Sequence, residues 1–198
     1  MEAEWEERRV MSVIDGLVSD AWSVIEPNLD ALTDDEYLWE PVEGCWSIRR
    51  RSTAVGSDHW GKGDWVVETS LDGSSEPNAT TIAWRLLHAY DCFTDYASKA
   101  FGHGARDWNE IEVPPHAATA VQMMTDAVAA LREDLRAHDD DVLLGPSEDA
   151  WGRPRWRLLD TALLEWIHHC AEIGVLRTLY RHPYRARLPG CGWVAGVK

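Results

Sequence analysis

Four segments of this chain carry apolar residues at intervals of three and four positions, which is the spacing of one face of an α-helix. The pattern predicts long helices over about residues 6–25, 80–101, 116–138 and 156–181. The apolar stripe of such a helix has to be buried, and four of these helices can bury their stripes only against each other. The sequence therefore predicts an all-α fold, and a four-helix bundle is the architecture that this pattern favours.

The segment between the first two helices is long. Thr33 and Glu36 have the spacing of a capping box, which predicts a short helical turn that ends before Pro41. Residues 41–78 form an irregular segment rich in Gly, Ser and Asp that carries three Trp, and residues 65–69 are a candidate strand. A loop of this length is usually functional or packed by its own side chains. It also permits a crossover, so a simple up-and-down helix order is not required.

Length and composition point to one domain. Of the 198 residues 45% are apolar, which is enough for one full hydrophobic core. We expect the domain to span residues 1–183, with a second loop at residues 139–154 and a loosely attached tail at residues 184–198.

Charge and sequence signals limit the partners and the compartment. The net charge is −15, and basic residues form a tight run only at residues 49–51, so the chain lacks the basic face that nucleic acid requires. The acidic N-terminus has no apolar signal segment, and no apolar run approaches the ~18 residues that a bilayer span needs. Four cysteines without C-x-x-C spacing indicate reduced thiols. We therefore expect a cytoplasmic protein that binds neither nucleic acid nor membranes.

The fourth predicted helix carries a cluster of possible metal ligands. Glu165, His168, His169 and Glu172 fall within about 100° of arc, because each residue turns an α-helix by ~100°. Glu165 with His169, and His168 with Glu172, are pairs four residues apart that can reach a single cation. His169 borders the apolar stripe, so we expect it to point inward. The alternative is a solvent-exposed face of Glu–His pairs that only supports the helix.

His88 on the second predicted helix is another candidate ligand, provided that this helix packs beside the fourth. His88 and His169 with one carboxylate would form a metal site that keeps coordination positions open. Open positions are typical of catalytic metal sites rather than structural ones. The alternative is a hydrogen-bonded histidine in the core or at its rim. Weaker candidates are His59 and His103, which lie in loops without a partner at metal spacing, and His116 and His138, which flank the third helix. Cys92 and Cys170 are weaker as well, because a structural role is commoner for buried thiols.

Three segments together resemble the DinB-like family. They are residues 33–49, 81–88 and 165–180, and their order and spacing match the family across roughly residues 8–182. The resemblance implies a four-helix bundle in up-down-down-up order. It also implies a metal site built from one His on the second helix and two His on the fourth.

The resemblance also implies a ligand set for this chain. His88 matches the first ligand and His169 matches the last, followed three residues later by Glu172. Glu165 occupies the middle position, where the family pattern has His. The expected site is therefore His88, Glu165 and His169 around a divalent metal ion, with Zn²⁺ or Ni²⁺ as the expected identity.

The family suggests an enzymatic function, and a non-catalytic one is the alternative. DinB-like relatives include thiol-dependent transferases and the metal-binding domain of mycothiol-dependent maleylpyruvate isomerase. The metal would activate a low-molecular-weight thiol such as mycothiol for attack on a small electrophile, with Glu172 or His168 as base or as support for a ligand. The alternative is a stress-related or small-molecule-binding bundle with a degenerate metal site. A homodimer, formed for instance through a Trp-rich face, is a further expectation.

Overall fold

The computed structural model describes residues 9–54, 58–69, 79–148 and 152–182 of the chain. Within these ranges the protein is mostly helical, and a small three-stranded sheet corrects the expectation of an all-α fold. The elements are α1 (Val10–Leu29), α2 (Asp34–Tyr37), β1 (Ile48–Arg50), β2 (His59–Trp60), β3 (Trp65–Glu68), α3 (Ile82–Ala100), a 3₁₀ turn (Trp108–Glu110), α4 (Ala117–Ala137), α5 (Asp140–Leu144) and α6 (Trp156–Arg181). None of these helices combines the length and the hydropathy of a bilayer-spanning segment.

The four long helices α1, α3, α4 and α6 pack around one hydrophobic core. α6 contacts both α3 and α1, and α4 contacts the same two helices. At the centre, Trp166 of α6 is fully buried; its ring stacks on Trp22 of α1 at 5.8 Å and lies tilted against Phe93 of α3 at 5.0 Å, measured between ring centroids. Burial of a large apolar side chain contributes roughly 1.5–3 kcal/mol, so this aromatic cluster holds α1 and α3 against α6.

The helix predictions are confirmed for α3, α4 and α6, whose bounds lie within two residues of the predicted ones. α1 differs, because it continues to Leu29 and includes Pro27, which was expected to follow the helix. The helix continues past Pro27 although proline lacks a backbone donor, and its C-terminal end is tied to α6 because the Arg177 side chain donates to the carbonyl oxygens of residues 28, 30 and 31. The predicted beginning of this helix, at residues 6–8, lies outside the described residues.

Two short helices depend on side-chain hydrogen bonds. In α2 the Thr33 side chain accepts from the Glu36 backbone and the Glu36 side chain accepts from the Thr33 backbone, which confirms the predicted capping box. α5 lies within the predicted loop at residues 139–154 and corrects it. With five residues α5 is too short to show helical periodicity, and it is tied to the bundle because Asp140 accepts from the first backbone N–H groups of α1.

The sheet corrects the expectation that residues 41–78 are irregular apart from one candidate strand. β3 is its central strand and confirms the candidate strand at residues 65–69, while β1 and β2 pair with it in antiparallel register on either side. Val67 in β3 is fully buried and lies opposite both Ile48 and Trp60. β1 and β2 have only three and two residues, so neither can show the alternation by which a strand is recognised.

A buried ion pair joins α2 to α6. Glu36 is 3% exposed and Arg177 is 5% exposed, and Arg177 Nη2 lies 3.2 Å from Glu36 Oε2. Arg181 Nε contacts the other carboxylate oxygen at 2.9 Å. Burial acts to raise the pKa of Glu36, but hydrogen bonds from Arg177 and from the Thr33 backbone outweigh it and lower that pKa. The ionised carboxylate therefore holds α2 and the end of α6 together.

The substitution Arg177→Met tests the contribution of this cluster to stability. It leaves Glu36 with one fewer cationic partner and removes the donor to three backbone carbonyl groups, so we expect the free energy of unfolding to fall by about 3–5 kcal/mol. Arg9→Met is the matched control, because the Arg9–Asp139 pair is exposed and such pairs contribute about 0–1 kcal/mol. Urea unfolding followed by circular dichroism measures both variants. Equal losses in the two would contradict the assignment.

Candidate metal centre

The candidate metal centre lies where α3 packs against α6. His88 of α3 and Glu165 and His169 of α6 each place one possible ligand atom within 4.8 Å of the other two. The rings of His88 and His169 meet edge to face, with centroids 4.7 Å apart. The side chain of Glu165 is 41% exposed, so the cluster opens to solvent on one side. Helix packing thus brings together the three residues that the sequence singles out as ligands.

Trp84 and the sheet position His88. The Trp84 ring stacks on the His88 ring with centroids 4.7 Å apart, and Trp84 Nε1 donates to the backbone oxygen of Glu68 in β3 at 2.7 Å. Burial lowers the pKa of His88 to about 4, and the positive charge of Arg85 adds to this effect. At pH 7 His88 is therefore a neutral imidazole, which is the form that binds a metal ion.

His169 has one ring nitrogen without a hydrogen-bond partner. The residue is 5% exposed, and its Nε2 atom makes no hydrogen bond within the described part of the chain. Glu165 Oε2 lies 3.4 Å from this nitrogen. The pKa of His169 is lowered to about 3, mainly by burial, with smaller contributions from the charges of His88 and Arg85. Buried polar atoms without a partner are uncommon, and a cation at this position would satisfy the nitrogen.

His168 and Glu172 extend the cluster toward solvent. Together with His169 they form a second group whose possible ligand atoms lie within 4.8 Å of one another. His168 is exposed, and its Nε2 lies 3.7 Å from Glu172 Oε1, while Glu172 Oε2 lies 3.4 Å from His169 Nδ1. Glu172 therefore contacts both histidines. Such a contact is required of a residue that orients a metal ligand or exchanges a proton with it.

Arg85 belongs to this cluster although the sequence pattern did not single it out. Its Nη1 atom lies 2.7 Å from Glu172 Oε2 and 3.1 Å from His169 Nδ1. A guanidinium only donates, so His169 Nδ1 accepts in this arrangement and the ring proton lies on Nε2. For Nε2 to bind a cation the proton has to lie on Nδ1, where Glu172 can accept it. Arg85 could have been found from its place three residues before His88 on the same helix face.

The other candidate residues do not join this cluster of ligand atoms. Cys92 lies beside His88, with 3.7 Å between Sγ and Nε2, and burial raises the pKa of its thiol to about 12. Burial also raises the pKa of Cys170 to about 12, so both are protonated thiols. The weaker histidine candidates have other contacts: His59 with Arg51, His103 with Asp134, His116 with Asp34 and His138 with Phe101. Cys45, Cys92 and Cys170 are free thiols, and Cys191 lies outside the described residues.

The protonation of the two buried imidazoles can be measured directly. Because their pKa values lie well below the ordinary value of 6.5, we expect both rings of the metal-free protein to stay neutral when the pH is lowered from ~8 to ~5. Nitrogen-15 NMR of the histidine rings reports the charge, and the variants His88→Gln and His169→Gln assign the signals. A titration midpoint near 6.5 for either ring would contradict the buried arrangement.

A family model described as the DinB superfamily matches residues 17–172, a range that includes His88, Glu165 and His169. No curated protein and no solved structure gave a match. The family match covers well over half of the chain and runs from α1 into α6. The chain therefore belongs to the DinB superfamily, whose members are helical and typically bind metal ions.

Proposed function

We propose that this protein is a metal-dependent enzyme that transfers a low-molecular-weight thiol, such as mycothiol, to a small electrophile. The observation that carries the proposal is the convergence of His88, Glu165 and His169 in a solvent-open cluster between α3 and α6. Three protein ligands leave coordination positions open, which is the arrangement of catalytic rather than structural metal sites. The reaction class follows from the thiol-dependent transferases among DinB-like proteins.

The residues present fit a divalent cation of the Zn²⁺ or Ni²⁺ type. His88 and His169 supply neutral imidazole nitrogens, and Glu165 supplies a carboxylate oxygen, all of which are ligands that these ions accept. The buried Nε2 atom of His169, which has no hydrogen-bond partner among the described residues, supports this use of the ring. Glu165 also replaces a neutral donor of the family pattern by an anion, so the loaded site carries one positive charge fewer.

The cation would supply one element of the chemistry, which is stabilisation of a thiolate relative to the thiol near neutral pH. The chain supplies the rest. With the cation bound, Glu172, which is paired with Arg85, would accept the Nδ1 proton of His169 and so leave the Nε2 lone pair turned toward the site. His168, exposed beside Glu172, takes the proton of the incoming thiol. The sulfur then bonds to the electrophilic carbon, and the leaving group departs with its electron pair.

We further infer that the four long helices follow an up-down-down-up order. Contacts of Trp22 with Trp166 and of Asn28 with Gly174 support a parallel α1 and α6. Contacts of Arg85 with Glu172 and of Phe93 with Trp166 support an antiparallel α3 and α6. The Asp15–Arg132 ion pair, and the cavity that Trp22 and Thr125 line together, support an antiparallel α1 and α4. This order places the two ligand-bearing helices side by side.

Metal binding is the first test of the proposal. In protein purified without a histidine tag, we expect one Zn²⁺ or Ni²⁺ per chain by elemental analysis, and His169→Ala should weaken binding by more than about 100-fold in calorimetric titration, because it removes a ligand. Helix content should stay unchanged. His168→Ala should have a smaller effect, and His116→Ala is the matched control, because His116 lies at the surface beside Asp34. Wild-type affinity in His169→Ala would exclude the proposed ligand set.

Thiol transfer is the second test. With mycothiol and a haloaromatic or bimane electrophile, we expect a rate that falls on chelation, returns with Zn²⁺ or Ni²⁺ and is lost in His88→Ala. His168→Ala should lower kcat by ~100-fold with little change in metal affinity, since a general base typically contributes that much. If the metal-loaded protein reacts with several thiols no faster than the uncatalysed control, the transferase proposal is wrong. Metal binding without activity would then favour a non-catalytic small-molecule-binding bundle.

A further inference from the structure

Two of the four long helices are apolar on a second, outward face. Seven of the ten large hydrophobic side chains that are exposed in the described ranges belong to α1 and α6, and none belongs to α3 or α4. These seven define the α1/α6 face: Val13, Leu17, Val24, Leu164, Ile167, Val175 and Leu179, each at least 41% exposed. Single exposed apolar residues are ordinary, but a contiguous group marks an interaction surface.

The helical positions in α6 separate this face from the core and from the metal centre. With about 100° per residue, the buried residues around Trp166 and Ile173 point one way and the ligands around Glu165 and His169 point another. The exposed apolar residues of α6, Leu164, Ile167, Val175 and Leu179, form a third sector, whose centre lies roughly opposite the buried residues and about 120° from the ligands. An amphipathic helix needs only one apolar stripe to join a core, so the second stripe of α6 is not explained by the fold of a single chain.

The face is shaped as a groove between α1 and α6. A cavity of about 680 Å³ lies there, and small residues, Ala21, Ala171 and Gly174, allow close approach between the two helices. Asp20 is the only charged residue among those that line it. An open apolar groove flanked by helices is the shape that accepts side chains from another helix.

We propose that the α1/α6 face is a homodimer interface, in which α1 and α6 of one protomer pack against α1 and α6 of a second copy about a two-fold axis. Charge favours a second copy at this place. The chain carries a net charge of −15, so most surfaces of two copies repel each other. The groove within the α1/α6 face is lined by one charged residue, Asp20, and two copies can therefore meet there while burying few acidic groups.

The apolar area is of the size that a stable dimer needs. Seven half-exposed Val, Leu and Ile side chains present on the order of 600 Å², which is at the upper limit for the largest patch on a typical monomer. A standard interface buries about 800 Å² on each partner, including a polar rim. A lipid surface fits less well, because interfacial helices carry a Lys- and Arg-rich polar face that anionic lipids attract, and this chain carries a net charge of −15.

Sedimentation equilibrium of the full chain over about a hundredfold range of concentration tests the proposal. The wild-type protein should reach twice the 22.4 kDa mass of the chain. The double variant Val24→Glu, Val175→Glu should raise the dimer dissociation constant by more than about 100-fold, because it brings like charges into the apolar contact. The matched control Val42→Glu, Leu144→Glu changes two equally exposed apolar residues off the face and should dimerise as the wild type does.

Several outcomes would overturn the proposal. A wild-type protein that stays monomeric at every concentration has no such interface, and if it sediments with neutral phosphatidylcholine vesicles the face binds lipid instead. A double variant that dimerises normally would place the dimer contact elsewhere. Circular dichroism verifies folding, and Val24→Ser, Val175→Ser is the milder pair, with the same expected direction, should the charged pair not fold. The metal-site variants do not enter this test, so its result is independent of the proposed function.

Discussion

The packing of the Trp166 indole between Trp22 and Phe93 is the interaction on which the rest of the structure depends. It holds α6 against α1 on one side and against α3 on the other. The contact with α3 sets the register that brings His88 within reach of His169, one turn further along α6 than Trp166. The contact with α1 sets the parallel pair whose outer surfaces form the α1/α6 face. A substitution in this aromatic cluster would therefore alter the packing of both the metal centre and the proposed dimer contact.

Burial gives the candidate site its chemical character. The pKa values of His88 and His169 fall to about 4 and 3 mainly because a charged imidazole is poorly solvated between two helices. Neutral rings are ready to bind a cation, whereas the same residues in solvent would be partly protonated near pH 6.5. Arg85 adds a constraint, because its guanidinium is shared between Glu172 and His169 Nδ1. The tautomer of His169 is thus decided by two neighbours of opposite charge rather than by the ring itself.

Local patterns predicted most of the helices and the identity of the possible ligands. The bounds of α3, α4 and α6 follow from periodic apolar residues, and α2 follows from the capping box at Thr33 and Glu36, because these signals act within one or two helical turns. β1, β2 and α5 could not be predicted, since each is too short for a period and depends on contacts from distant residues. Pro27 misled the prediction of α1, because the helix continues for two residues beyond this proline, which was expected to follow its end.

The sequence by itself determined which residues can serve as ligands, since Glu165 and His169 share a face by helical geometry alone and the resemblance to DinB-like proteins selects His88. Only the tertiary structure decided that His88 meets His169, that Arg85 enters the cluster, and that exposed apolar residues of α1 and α6 line one groove. The physical reason is that spacing along a helix fixes directions within that helix, whereas distances between helices depend on how their side chains pack.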